Sequence, residues 1–180
     1  MTALAEAFAR ARVEERAALI GYLPAGFPSR DDSVRLMRAM VDAGVDIVEV
    51  GLPYSDPLMD GPVIQSAADQ ALRGGTTPAD VISIAGDVAQ TGAATVVMSY
   101  WNPVERFGVD AFARDLAAAG GCGVITPDLT PEESAACSPL DTPSPTATGR
   151  SVTARTRATR VSAAPETEVR APVTPIVDAA

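Results

Sequence analysis

The chain has 180 residues, 47% of them hydrophobic, and a formal net charge of −9. That length suffices for one domain with a sizeable core, and the acidic balance argues against a nucleic-acid or anionic-membrane surface. The chain contains neither His nor Lys, which excludes His-based triads, ordinary His-ligated zinc, a lysine Schiff base and a P-loop lysine.

Any chemistry therefore falls to carboxylates, Tyr, Arg, Cys and backbone amides. In chain order, residues 3–16 read as an amphipathic helix with Leu4, Phe8, Ala11 and Ala18 on its apolar side. Ala18 to Leu23 reads as a short strand, turned by Pro24-Ala25-Gly26-Phe27-Pro28. Ser29 or Asp31 is suited to cap a helix running to about Ala43, ended by Gly44. Val45 to Gly51 is the second strand, and Ile64 to Arg73 a short helix stopped by Gly74-Gly75. Thr77 as N-cap and Pro78 at the first helical position open the next helix, which ends near Gly92. Ala94 to Ser99 is the third strand, with Tyr100-Trp101-Asn102-Pro103 as a loop after it. Val109 to Ala119 is a helix and Gly121 to Thr126 the fourth strand, followed by Asp128.

Nearly all-apolar strands alternating with helices predict an α/β fold, a parallel sheet covered by helices, built from four βα units. Polar or unusual residues recur just past the strand ends: Tyr22-Leu23-Pro24, Glu49, Tyr100-Trp101-Asn102 and Asp128. Such positions line the catalytic face of a (β/α) barrel and equally the ligand crevice of an open doubly wound sheet. No Gly-x-Gly-x-x-Gly follows the first strand, which lowers the dinucleotide-binding option. No run approaches the length of a membrane span and the N-terminus lacks a signal-peptide core, while Cys122 and Cys137 fit no metal or redox spacing, so cytoplasm is the default compartment. From residue 137 to 180 there is no aromatic residue, and Thr, Ala, Pro, Arg and Ser dominate. Such a segment buries too little apolar surface to offset its ordering entropy and is expected to be disordered.

The stretch from Val45 to Pro62 concentrates the chemistry. A β-branched run carries Glu49 near its end, and then a Gly- and Pro-rich loop, stiff and unfit for helix or sheet interior, leads to Asp60. A glutamate at the end of a buried strand is costly unless paired, hydrogen-bonded or protonated. Two acids so placed can share acid–base work across a bound substrate. Two structural alternatives stand beside that reading: Glu49 bonded to backbone or an arginine, and Asp60 capping the helix that starts near Pro62.

The wording of this stretch resembles the signature of the tryptophan synthase α chain family: Glu49 to Gly51, Pro53 to Pro57, Asp60 to Pro62 and Ile64-Gln65. The resemblance extends over Gly21 to Pro28 after the first strand, Met98 to Val104 after the third and Pro127 to Ser134 after the fourth. It runs from about residue 3 to Ala136 and stops at Cys137. The family is a full (β/α)8 TIM barrel, so the resemblance implies its first half, a partial barrel domain over residues 1–136. The tail over 137–180 has the composition of an out-of-frame reading of a GC-rich gene.

The resemblance implies a lyase of L-tryptophan biosynthesis that cleaves indole-3-glycerol phosphate to indole and glyceraldehyde 3-phosphate without a cofactor. Glu49 would be the acid–base that moves the protons, and Asp60 would accept a hydrogen bond from the indole N–H. Tyr22, Leu23 and Tyr100 would wall the indole, core packing being the alternative for both tyrosines. The loop carrying Pro53, Ser55, Asp56 and Pro57 would touch the tryptophan synthase β chain, the partner in the family's αββα assembly. The family's glycine-rich phosphate loops and mobile lid belong to its later strands and have no counterpart in the matched motifs. The 180-residue chain is therefore expected to be inactive as a lyase. Two other readings stay open: a non-catalytic remnant that touches a β chain, and another phosphate-handling (β/α) barrel lyase or isomerase.

Overall fold

The computed structural model describes residues 2–129 and 176–178. In chain order the elements are α1 (Ala3–Val13), β1 (Ile20–Pro24), α2 (Arg30–Asp42), β2 (Ile47–Gly51), α3 (Pro62–Arg73), α4 (Pro78–Ala89), β3 (Ala94–Met98), α5 (Trp101–Phe107), α6 (Val109–Ala119), β4 (Gly123–Ile125) and β5 (Ile176–Asp178). The sheet order is β1-β2-β3-β4-β5. The first four strands are parallel, each beside its predecessor, in the α/β arrangement that the alternating pattern predicts.

The caps follow the sequence signals. Ser29 accepts from the Asp32 amide at the start of α2, and Thr77 and Asp80 form a reciprocal capping box at the start of α4, with Pro78 inside the first turn. Four details differ from the sequence pattern. The helix α1 stops at Val13, and its buried stripe is Leu4, Ala7 and Ala11, while Phe8 is exposed and Ala18 lies beyond the helix. The segment after Tyr100 is helical, not a loop: Pro103 sits in the first turn of α5, where a missing N–H costs nothing, and Gly108 at φ 98° ends it. The N-cap of α3 is Gly61, so Asp60 precedes the cap position. Finally, β5 pairs antiparallel with β4, Val124 opposite Val177, within the stretch where composition predicts no element. A short Ile-Val run satisfies the open N–H and C=O groups of an edge strand. The rest of the expected disordered tail lies outside the described residues.

Alternation along the strands sorts side chains into two cores. Val48, Val50 and Val97 point to the helices and pack with Met37, Val81, Ile84, Val88, Phe112 and Leu116. Ile47, Ala94, Val96 and Cys122 face the other way and meet Leu4 and Ala7 of α1. In this position α1 plugs the end of the sheet where the strands begin.

Between plug and sheet lies a charged anchor. Asp46, 4% exposed, accepts from Arg16 (Nη2 to Oδ1, 2.8 Å) and from the Leu19 amide (2.9 Å), with Arg10 at 3.5 Å. The Arg16 hydrogen bond and then the Leu19 amide hold its carboxyl far below the usual carboxylate range. A depressed folded-state pKa gives stability that is fully present above the unfolded value of ~3.9 and is lost as pH falls through the folded value. Asp46→Asn should therefore lower the melting temperature at pH 7, and the gap from the parent should narrow in acid below pH 3. Thermal melts at both pH values check this.

Candidate active site

Glu49 is the central residue of β2, with burial on either side. Its register partners are Tyr22 in β1 and Val96 in β3. Because Val48 and Val50 are committed to the helix layer, Glu49 is turned to the opposite face together with Ile47 and Gly51. One residue pair down, that face is closed by α1; at the strand ends it opens.

Tyr22 is half-buried and lies over Gly51, where a β-carbon would collide with its ring and hydroxyl. The absence of a side chain at Gly51 is what leaves room for the phenol. Burial first, then the charges of Asp60 and Glu49, push the Tyr22 phenol well above its ordinary value, so it stays a neutral hydrogen-bond donor. Both acids thus lie near enough to the Tyr22 phenol for their charge to act on it. Glu49 is raised by burial, as is Asp60. Among the described residues no arginine forms an ion pair with either acid. The alternative of a Glu49–Arg pair thus finds no arginine among the described residues, and the N-cap of α3 is Gly61 and not Asp60.

The other residues named from sequence divide. Leu23 sits on the opposite face of β1 from Tyr22 and packs against the helix-side cluster; the two meet only along a cleft of about 590 Å³ between β1 and α3, which Ile64 also lines. Tyr100 is 3% exposed; its hydroxyl accepts from the Met59 amide at 2.8 Å, and its ring lies 5.4 Å from that of Tyr54. Pro53 is buried, Pro57 is intermediate, and Ser55 and Asp56 are exposed or nearly so, the serine hydroxyl donating to Asp56 at 2.6 Å. The same loop shows Leu58 (82% exposed) and Met59 to solvent. Sequence reasoning missed the bond from Asn102 Nδ2 to the Tyr54 hydroxyl, 2.9 Å, and both oxygens of Asp128 accepting from the Trp101 amide, 3.0 Å each. For Asp128 the signal was its place directly after the fourth strand. For Asn102 it was concealed by reading that stretch as a loop. Among the described residues no cluster of three or more His, Cys, Asp or Glu side chains could hold a metal ion, and no helix is long and apolar enough to cross a membrane.

A parallel, helix-covered sheet with two acids and a phenol near its strand ends has the layout of a (β/α)-barrel protein. Comparison with known proteins gives the family. The chain belongs to the tryptophan synthase alpha chain family, whose model matches residues 8–160, past Ala136, where the matched motifs end. It is 64% identical over 133 residues to the tryptophan synthase alpha chain of Thermobifida fusca, covering 74% of this chain and 49% of that relative. To the alpha chain of Nocardia farcinica it is 64% identical over 130 residues, 72% of this chain and 49% of the relative. Among solved structures, tryptophan synthase from M. tuberculosis in its aminoacrylate-bound form superposes with a TM-score of 0.72 at 55% identity, over 74% of this chain and 55% of that one. The alpha subunit of Legionella pneumophila gives a TM-score of 0.73 at 34% identity, over 76% and 53%. The chain thus spans about half the length of the relatives it matches, and its four parallel strands are the first half of their (β/α)8 barrel.

The electrostatics of Glu49 predict a gain of stability on neutralising it. Its folded-state pKa is raised, so the ionised form costs stability above that value, and the cost vanishes as pH falls below the unfolded value of ~4.3. Glu49→Gln should raise the melting temperature by a few degrees at pH 8 and leave it unchanged at pH 4, as paired thermal melts will show.

Proposed function

We propose that these four βα units carry the acid–base half of an aldol-cleaving site for indole-3-glycerol phosphate, releasing indole and glyceraldehyde 3-phosphate in tryptophan synthesis in the cytoplasm. What supports this reading is that Glu49 and Asp60 both lie near the Tyr22 phenol, both raised by burial and neither joined to an arginine among the described residues. Indole is a poor leaving carbon. The ring must gain a proton at C3, and the side-chain hydroxyl must lose one as the C–C bond breaks and the electron pair returns to the ring. A buried carboxyl with a raised pKa is suited to both transfers, and Glu49 takes that role. Asp60 accepts a hydrogen bond from the indole N–H and stabilises positive charge on the protonated ring. Tyr22 and Tyr100 supply aromatic walls, and Leu23 borders the cleft beside them. No cofactor enters the reaction.

The second element of the reading is a protein partner, a tryptophan synthase β chain. The exposure of Leu58, Met59 and Val63 beside Pro53, Ser55, Asp56 and Pro57 supports it, since apolar side chains clustered on one loop and helix start favour a covered surface. It also keeps open a non-catalytic role limited to that contact.

Steady-state assay of indole formation tests the chemistry. Where these units sit in a closed barrel, Glu49→Gln should lower kcat by ~10²–10⁴-fold with little change in KM, because the amide keeps size but not basicity. Retention of most of the parent kcat would remove Glu49 from the role. The 180-residue polypeptide alone should form no indole above background at saturating substrate, with or without β chain. Residues 130–180 hold a single glycine, Gly149, where the family builds its phosphate loops from glycine-rich segments.

A further inference from the structure

The loop between β2 and α3 carries Asp60, and it is held at three points by the β3 end and the first turn of α5. The Leu52 amide donates to the Met98 carbonyl at 2.8 Å. The Tyr54 ring lies against Tyr100, with its hydroxyl accepting from Asn102. The Met59 amide, one residue before Asp60, donates to the Tyr100 hydroxyl. Between these fixed points Asp56 and Leu58 project toward solvent, and Asp60 stands between the last of them and the start of α3, where Gln65 Nε2 donates to the Asp60 carbonyl at 2.8 Å. Tyr100 is itself held on both sides along the chain. Its carbonyl accepts from the Ser99 hydroxyl at 2.8 Å, the Ser99 amide donates to the Ile125 carbonyl of β4 at 3.0 Å, and the next amide, Trp101, is gripped by both oxygens of Asp128.

We propose that Asp128 and Tyr100 are positioning residues that brace the acid-bearing loop, Asp128 fixing the β3–α5 turn through the Trp101 amide and Tyr100 carrying that fix to the peptide before Asp60. The end of β4 thereby helps to fix where the second acid of the site stands, on the side opposite the Gln65 bond from α3. This deepens the reading of Asp60 as the partner of the indole N–H and rests on it for its importance, but the geometry it asserts is measurable without turnover. The hydroxyl of Tyr100 is engaged by the loop amide, so the residue is more than an aromatic wall. The brace also keeps Asp60 near Tyr22, whose phenol feels its charge, and so sustains the burial that raises its carboxyl.

The test uses the 180-residue chain and three variants, Tyr100→Phe, Asp128→Ala and Asp128→Asn, read by amide hydrogen exchange, by carboxyl NMR titration of Asp60 and by emission of the sole tryptophan, Trp101. Tyr100→Phe should speed exchange of the Met59 amide roughly tenfold, the loss expected of one hydrogen bond. Exchange at Val48 and Val50 should stay unchanged, showing an intact sheet. Asp128→Ala should shift Trp101 emission and also speed Met59 exchange. In both variants the Asp60 midpoint should fall toward ~3.9 while that of Glu49 stays raised. Asp128→Asn, whose amide oxygen still accepts from Trp101, should restore most of the Met59 protection. If Asp128→Ala shifts the emission but leaves Met59 exchange and the Asp60 midpoint as in the parent, Asp128 is a helix cap only and the proposal is overturned. Unchanged Met59 exchange in Tyr100→Phe overturns it as well. Neither result bears on whether Glu49→Gln abolishes turnover, so the two readings fail separately.

Discussion

Two valines decide where the acid goes. Val48 and Val50 are fully buried against α2 and α4, and each such burial is worth roughly 1.5–3 kcal/mol. In a pleated strand the residue between them has no choice but the opposite face. A slip of one residue would bring Glu49 into the helix layer and expel both valines, so the register is strongly specified. The cost of holding a carboxyl half-buried is thus offset by apolar packing on the far side of the same strand. This is how a raised acid persists: the stabilising contacts and the carboxyl share a backbone but not an environment.

The opposite face is graded along the strands. Ile47 and Ala94, with Leu4 and Ala7 of α1, make its first layer dry. Glu49, Tyr22 and Val96 form the next, and Pro24, Gly51 and Met98 the one at the open end. The plug is locked by Arg10 and Arg16 of the N-terminal segment on Asp46, one residue before β2 begins. Charge just before β2 thus holds the fold, while the carboxyl at its centre enters no ion pair among the described residues.

Much of this was legible in the residues. The alternation of apolar strands with capped helices pointed to the parallel sheet, and the spacing of Glu49 and Asp60 around Gly and Pro picked out the two acids. Local signals with a physical cause held: Ser29, Thr77 and Pro78 stand at helix starts. What was not legible depended on tertiary partners. Phe8 looks like the core side of α1, yet the sheet face that α1 covers is narrow and small residues, Ala7 and Ala11, make the close contact. Pro103 looks like a breaker, but a proline in a first helical turn starts a helix as well as it ends one. Leu23 neighbours Tyr22 in sequence and is turned to the other side of the strand, a consequence of period two that motif reading passes over. The bonds from Tyr100 to Met59 and from Asp128 to Trp101 join residues 41 and 27 positions apart, and no local pattern announces them.

The contact between Gly51 and Tyr22 limits how the sequence can vary. A β-carbon at position 51 has no space while a large ring stands at position 22, so neither residue can be chosen independently. A side chain added at position 51 alone must displace the Tyr22 ring and hydroxyl. Alanine at 51 fits more readily with a shorter side chain at 22, which removes the phenol on which both acids act. The pair is a single unit of heredity as far as the fold is concerned, and any lineage or design that abandons the tyrosine gains freedom at the glycine in the same step.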